Sequence, residues 1–154
     1  MNRKEKEIIE KSDIEAVIQK ALVCRIGLSC GNIPYVVPVC FGYEPGVIYA
    51  HGSPEGKKND LVKKNPNVCF EFDIDAEIVN SKTPCGWTMK YKSVIGFGAA
   101  FFLENPDEKR RALKVIAGQY SDQSCRFPDS AVNATAVIKI EISSMTGKQS
   151  GFPD

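Results

Sequence analysis

The residues best able to do chemistry crowd into one decapeptide, Tyr49-Ala50-His51-Gly52-Ser53-Pro54-Glu55-Gly56-Lys57-Lys58. It holds the only histidine, small residues that let backbone approach a ligand, and two adjacent lysines. The lysines open a predicted helix, where basic side chains work against the helix dipole. A phosphate would remove that conflict, because free helix N–H groups and ammonium groups both attract it; otherwise the two lysines simply point into water. His51, at a predicted strand end, suits either a hydrogen-bonded structural histidine or a donor facing a substrate, since imidazole titrates near neutrality. One ring builds neither a triad nor a metal site without partners. With no nucleophile elbow and no Ser, His and Asp spacing, a demanding reaction here falls to a bound cofactor.

Other candidates carry less. Cys24, Cys30, Cys40, Cys69, Cys85 and Cys125 form no C-x-x-C pair, and a single histidine accompanies them, which argues against zinc or any other metal. Four of these six lie in or beside apolar runs, where a free thiol behaves as a small hydrophobe. Glu71, Asp73, Asp75 and Glu77 alternate without the loop that holds calcium, and read as a solvated strand face. Neither a dinucleotide fingerprint nor a P-loop occurs. Twenty basic against nineteen acidic residues among 154 give a net charge of +1, so no overall field favours nucleic acid or an anionic membrane. The longest apolar run, Val94 to Leu103, is half the ~20 residues a membrane-spanning helix needs. The N-terminus MNRKEKEIIEK lacks the apolar stretch of a secretory signal, so a cytoplasmic protein is expected.

The elements that must position the decapeptide follow from pattern. Ser12 and Glu15 are spaced as a capping box before Ile14, Val17, Ile18, Ala21 and Leu22, predicting a helix over Asp13–Leu22. Strands are expected at Val23–Ser29, Pro34–Tyr43 and Val47–His51, joined by turns at Gly31-Asn32 and Glu44-Pro45-Gly46. Lys57–Lys64 reads as a short helix stopped by Asn65-Pro66. Cys69–Ile78 alternates, with Phe70, Phe72, Ile74, Ala76 and Ile78 on one dry face. An irregular stretch from Asn80 to Lys92 precedes Ser93–Leu103, apolar on both alternating sets and so expected to be buried on both faces. A helix from Pro106 to Gly118 and a last strand over Thr135–Ser143 complete the pattern. About six strands in hairpins with two or three helices predict one α+β domain over residues 1–154, its antiparallel sheet curled into a small barrel.

The runs CRIGLSCGNIPYVVPVCFGYEPGVIYAHGSPEGKKNDLVKKNPNVCFEFD, PCGWTMKYKSVIGFGAAFF and VIKIEISSMTGKQSGF resemble the flavin-binding split-barrel proteins. Within these the chain is most similar to the nitroimidazole-resistance branch and more distantly related to pyridoxamine 5′-phosphate oxidase. The resemblance implies a six-stranded split β-barrel homodimer with FMN in each of two interface clefts; FAD is the alternative, since such a cleft can leave room for an adenylate. It implies that Lys57 and Lys58 hold the flavin phosphate. Pro38, Val39, Cys40, Phe41, Tyr49, Ala50 and His51 would flank the ring, with Ser93 and Val94 meeting it from the other side. It also gives His51 a place beside flavin and substrate. Close relatives often carry Asn at the position of Cys40, and a thiol is the poorer partner for a flavin edge.

Three functions compete at this stage. The first is a flavin-dependent reductase of nitro compounds or another small electron acceptor, with His51 orienting or protonating that acceptor. The second is a flavin carrier without efficient turnover, in keeping with the absence of a second acid or base near His51 in sequence. The third is haem binding, with His51 as ligand. The apolar and aromatic residues flanking Trp87 fit a subunit interface.

Overall fold

The computed structural model describes residues 4–152. Along the chain lie β1 (Glu7–Ile8), α1 (Lys11–Lys20), β2 (Cys24–Cys30), β3 (Ile33–Val39), β4 (Phe41–Glu44) and β5 (Val47–Gly52). After these come α2 (Lys57–Lys64), β6 (Asn67–Val79), β7 (Thr88–Phe102), α3 (Pro106–Gly118), α4 (Asp129–Ala134) and β8 (Ala136–Ser150). The eight strands form one antiparallel sheet in the order β3-β2-β6-β7-β8-β5-β4, with β1 beside β8.

Strands β3 and β4 stand at opposite ends of that order, yet only Cys40 separates them in sequence. The two edges are therefore drawn together at this residue, and the sheet rolls into a barrel whose seam is left unpaired. The single strand expected over Pro34–Tyr43 is thus two, because one half pairs with β2 and the other with β5. The α+β split barrel is as expected, with eight strands in place of six.

Phe41, Phe70 and Phe72 fill the barrel with no exposed surface, Phe41 and Phe72 having ring centroids 4.7 Å apart. Each contributes roughly 1.5–3 kcal/mol by leaving water. The inward face of β7 must be slim at Gly96, where a Cβ would come within 2.2 Å of the Phe70 ring. A second core lies outside the barrel, where Ala112, Leu113 and Ile116 of α3 and Val132 of α4 cover Tyr49 and Val137. Strand β5 is therefore covered on both faces, by Ile48 and Ala50 inward and Tyr49 outward.

The same expectation does not hold for β7. Its inward Val94 and Ala100 are buried, but Ile95, Phe97 and Phe101 are 46%, 56% and 47% exposed. Both alternating sets are apolar, but within this chain only the inner face is covered. On this outer face Val36, Gly27, Cys69 and Phe97 stand in register across four strands. The dry face expected through Ile78 ends at Ile74, because a bulge with Asp75 at φ 56° shifts the register between Ile74 and Glu77. Ile78 then pairs with Met89 on the outer side, and both are exposed.

Smaller departures have local causes. Helix α1 starts at Lys11 after Glu10, without a side-chain cap, and Glu15 accepts from the Tyr43 hydroxyl at 2.9 Å instead of closing a capping box. Helix α3 begins where Pro106 requires, capped by Asn105, whose side chain accepts from the N–H groups of Asp107 and Glu108. Helix α4 was not expected, being one short turn and a half within a polar loop. Strand β8 runs seven residues past Ser143, through Thr146-Gly147-Lys148. Among the described residues no helix is long and apolar enough to cross a membrane.

Candidate functional site

His51, the last residue but one of β5, pairs with Val137 and faces outward beside α3 and α4. Beyond it the chain turns through Ser53–Gly56 into α2. Asn59, 1% exposed, fastens this turn by donating its side-chain N–H to the Ser53 carbonyl at 2.7 Å. Its Oδ1 is buried without a partner among the described residues. Gly56, at φ 122°, precedes α2 with no side-chain hydrogen bond to cap it, and its carbonyl takes the Asn59 N–H, which leaves the Lys57 and Lys58 N–H groups without a partner among the described residues.

Both lysines stay beside this opening. The Lys57 ammonium lies 4.7 Å from the centre of the Tyr35 ring on β3. Lys58 reaches back to the His51 carbonyl at 3.4 Å, and Gly52 leaves its head room: a Cβ there would stand 2.9 Å from Nζ. Burial lowers the Lys58 pKa, and no carboxylate pairs with it among the described residues. Burial, and secondarily the Lys58 charge, lower the His51 pKa below its ordinary value, favouring the neutral ring at pH 7. The corner therefore combines a half-buried uncompensated cation, the positive end of a helix and a neutral imidazole.

An apolar pocket of about 300 Å³ adjoins it, lined by Cys40, His51, Leu113, Ile116, Ala117, Tyr120, Phe127, Ala131 and Thr135. Tyr120 holds the barrel seam at its rim: its hydroxyl accepts from the Phe41 N–H at 2.9 Å and donates to the Leu22 carbonyl at 3.1 Å.

The structure brings Cys40 and His51 to one pocket and Lys58 to the His51 carbonyl, while Lys57 lies over the Tyr35 ring on β3. Phe41, Ala50 and Val94 are fully buried and Tyr49 nearly so, backbone included, so within one chain they offer no surface to a ligand. Pro38 is exposed on the outer face of β3 opposite Arg25, whereas Val39 is partly buried against the barrel core. Ser93 lies apart. It pairs with Lys148 on β8, eleven residues from Val137, the partner of His51, or roughly 36 Å along extended strand. Within one protomer Ser93 and His51 belong to different places. Tyr35, Asn59 and Tyr120 went unnoticed in the sequence; Tyr35 alone had a signal, its place in an alternating strand facing the start of α2.

The family model described as pyridoxamine 5′-phosphate oxidase matches residues 10–149. The chain belongs to that family. Its fold is similar to that of a provisionally assigned 5-nitroimidazole antibiotic resistance protein from Bacteroides thetaiotaomicron VPI-5482, at 35% identity and a TM-score of 0.84, covering 93% of this chain and 86% of that one. A flavocytochrome from Azotobacter vinelandii (18% identity, TM-score 0.83, 97% and 71% covered) shares the fold. So does an FAD and haem binding protein from Mycobacterium smegmatis (18% identity, TM-score 0.81, 97% and 76% covered). No protein of curated function matches the sequence.

Proposed function

We propose that this family member is an FMN-dependent reductase of nitro compounds or a similar small electron acceptor. The observation that carries the proposal is the half-buried Lys58 ammonium, without a carboxylate partner, beside the uncapped start of α2. A dianionic phosphate compensates both positive centres, which a neutral ligand leaves unsatisfied.

Lys57 and Lys58 would hold the phosphate, with the backbone N–H groups of the first α2 turn. Bound and reduced, the flavin supplies a hydride equivalent; a nitro group that takes up this hydride and a proton loses water to become nitroso. His51, neutral at pH 7, acts chiefly by donating its N–H to the acceptor and orienting it, and the apolar pocket excludes water around the acceptor.

The missing cover of the β7 outer face supports a homodimer, as does the separation of Ser93 from His51: in the proposed assembly Ser93 comes from the second copy. Sedimentation giving a monomer that still binds FMN tightly would refute the dimer. Six unpaired cysteines fit a reducing, cytoplasmic compartment. Anaerobic reduction of the FMN-loaded protein followed by mixing with a nitroimidazole tests turnover. Reoxidation well above the rate of free FMN is expected; an equal rate leaves a flavin carrier, the second reading.

A further inference from the structure

Helix α3 and the turn that continues it to Ser121 present two adjacent stripes to two cavities, one apolar and one lined by charged groups. Leu113, Ile116, Ala117 and Tyr120, spaced three or four apart, line the apolar pocket of His51. Arg110, Lys114, Ala117 and Ser121, one residue out of step, line a larger cavity of about 640 Å³, closed by the loop from Asp122 to Phe127. Ala117 and Phe127 belong to both walls.

The larger cavity is lined by charged side chains. Arg110, Lys114 and Arg126 face it against one carboxylate, Asp122. Arg110 is already engaged by Asp107 and Asp129. Lys114 and Arg126 have no carboxylate partner among the described residues, so although three cations and three carboxylates balance around the cavity, these two cations are left unpaired.

We propose that the two cavities form one acceptor site, in which an aromatic ring enters the apolar pocket beside His51 while a carboxylate on the ring reaches the vestibule of Lys114 and Arg126. The proposal rests on the reading of the His51 corner as a redox site and names its substrate class: monoanionic, carboxylate-bearing aromatic acceptors rather than neutral ones. The apolar volume of about 300 Å³ lies at the lower end of the roughly 300–1,000 Å³ of small-molecule pockets, which suits a ligand of one ring. One carboxylate can engage the unpaired Lys114 and Arg126 together; His51 and the apolar wall supply no site for a second.

The test compares two probes with the same ring, 4-nitrobenzoate and nitrobenzene, by calorimetric titration of the FMN-loaded, oxidised protein. The expected result is roughly tenfold tighter binding of 4-nitrobenzoate at low salt, shrinking as salt is raised. The preference should vanish in the Lys114→Ala/Arg126→Ala double variant, both of whose positions are exposed. Ala131→Phe, on the exposed surface of α4, should fill the apolar pocket and weaken both probes while leaving FMN affinity within about twofold. Equal affinity for the two probes, a preference that survives in the double variant, or loss of FMN from Ala131→Phe would each overturn the proposal. If wild-type protein takes up no FMN, the redox reading fails; the same titration of that flavin-free protein still decides whether the vestibule selects a carboxylate.

Discussion

Two groups of basic side chains flank β5 and are held in opposite ways. On the α3 side, Arg111 donates to both Glu44 carboxylate oxygens at 2.8 and 2.9 Å and to the Tyr49 hydroxyl at 3.2 Å. On the α2 side, Lys58 has one long contact to a carbonyl, Lys57 has a ring face, and no carboxylate answers either among the described residues. The first arrangement is finished within the chain and clasps α3 to the β4–β5 hairpin. The second is electrostatically open, and an open cation with lowered pKa is the mark of a place where an anion belongs. Equal charges in similar positions thus differ in whether the fold itself supplies their partners, and the proposed function assigns the open pair to an anionic ligand.

The sharpest way to break this contrast is substitution at each side. Lys58→Ala should lower FMN affinity about ten- to a hundredfold, the loss of a charge-assisted contact, while Arg111→Ala and Lys63→Ala leave it unchanged. A fluorescence titration showing comparable losses for all three would erase the distinction. His51→Ala should keep FMN and lower nitroimidazole turnover about tenfold or more; loss of the yellow cofactor instead would move His51 into cofactor retention. Arg111→Ala should lower Tm by roughly 1–3 °C, as befits an exposed clasp.

The smallest effect concerns pH. Because the folded pKa of His51 is depressed, the unfolded chain binds its proton more readily below about 6.5. This contribution to stability is present above that value and is lost as pH falls through the folded pKa. Denaturant midpoints of the flavin-free protein between pH 7 and pH 5 should therefore fall slightly more for wild type than for His51→Ala.

The extent to which these features could be read in advance depended on whether their cause was local. Helices α2 and α3 were placed to the residue, since Pro106, Asn105 and the Asn65-Pro66 stop act within one turn. The histidine and lysines were equally legible, as unusual types at a predicted strand end and helix start. What escaped was set by contacts distant in sequence. The break at Cys40 exists because two far strands claim its neighbours, and Glu15 leaves its capping role for Tyr43. The alternation through Ile78 failed at Asp75, where one extra residue reverses the faces. Tyr120 and the α3–α4 wall of the pocket meet β4 and β5 only after folding, and nothing in their own segments announces it.

The most direct test compares FMN with riboflavin, which differ only by the phosphate, in parallel fluorescence titrations of the purified wild-type chain and Lys58→Ala. The account predicts that wild type binds FMN about ten- to a hundredfold more tightly than riboflavin and that this advantage largely disappears in the variant. Equal affinity of wild type for both flavins, or an advantage untouched by loss of Lys58, would contradict it.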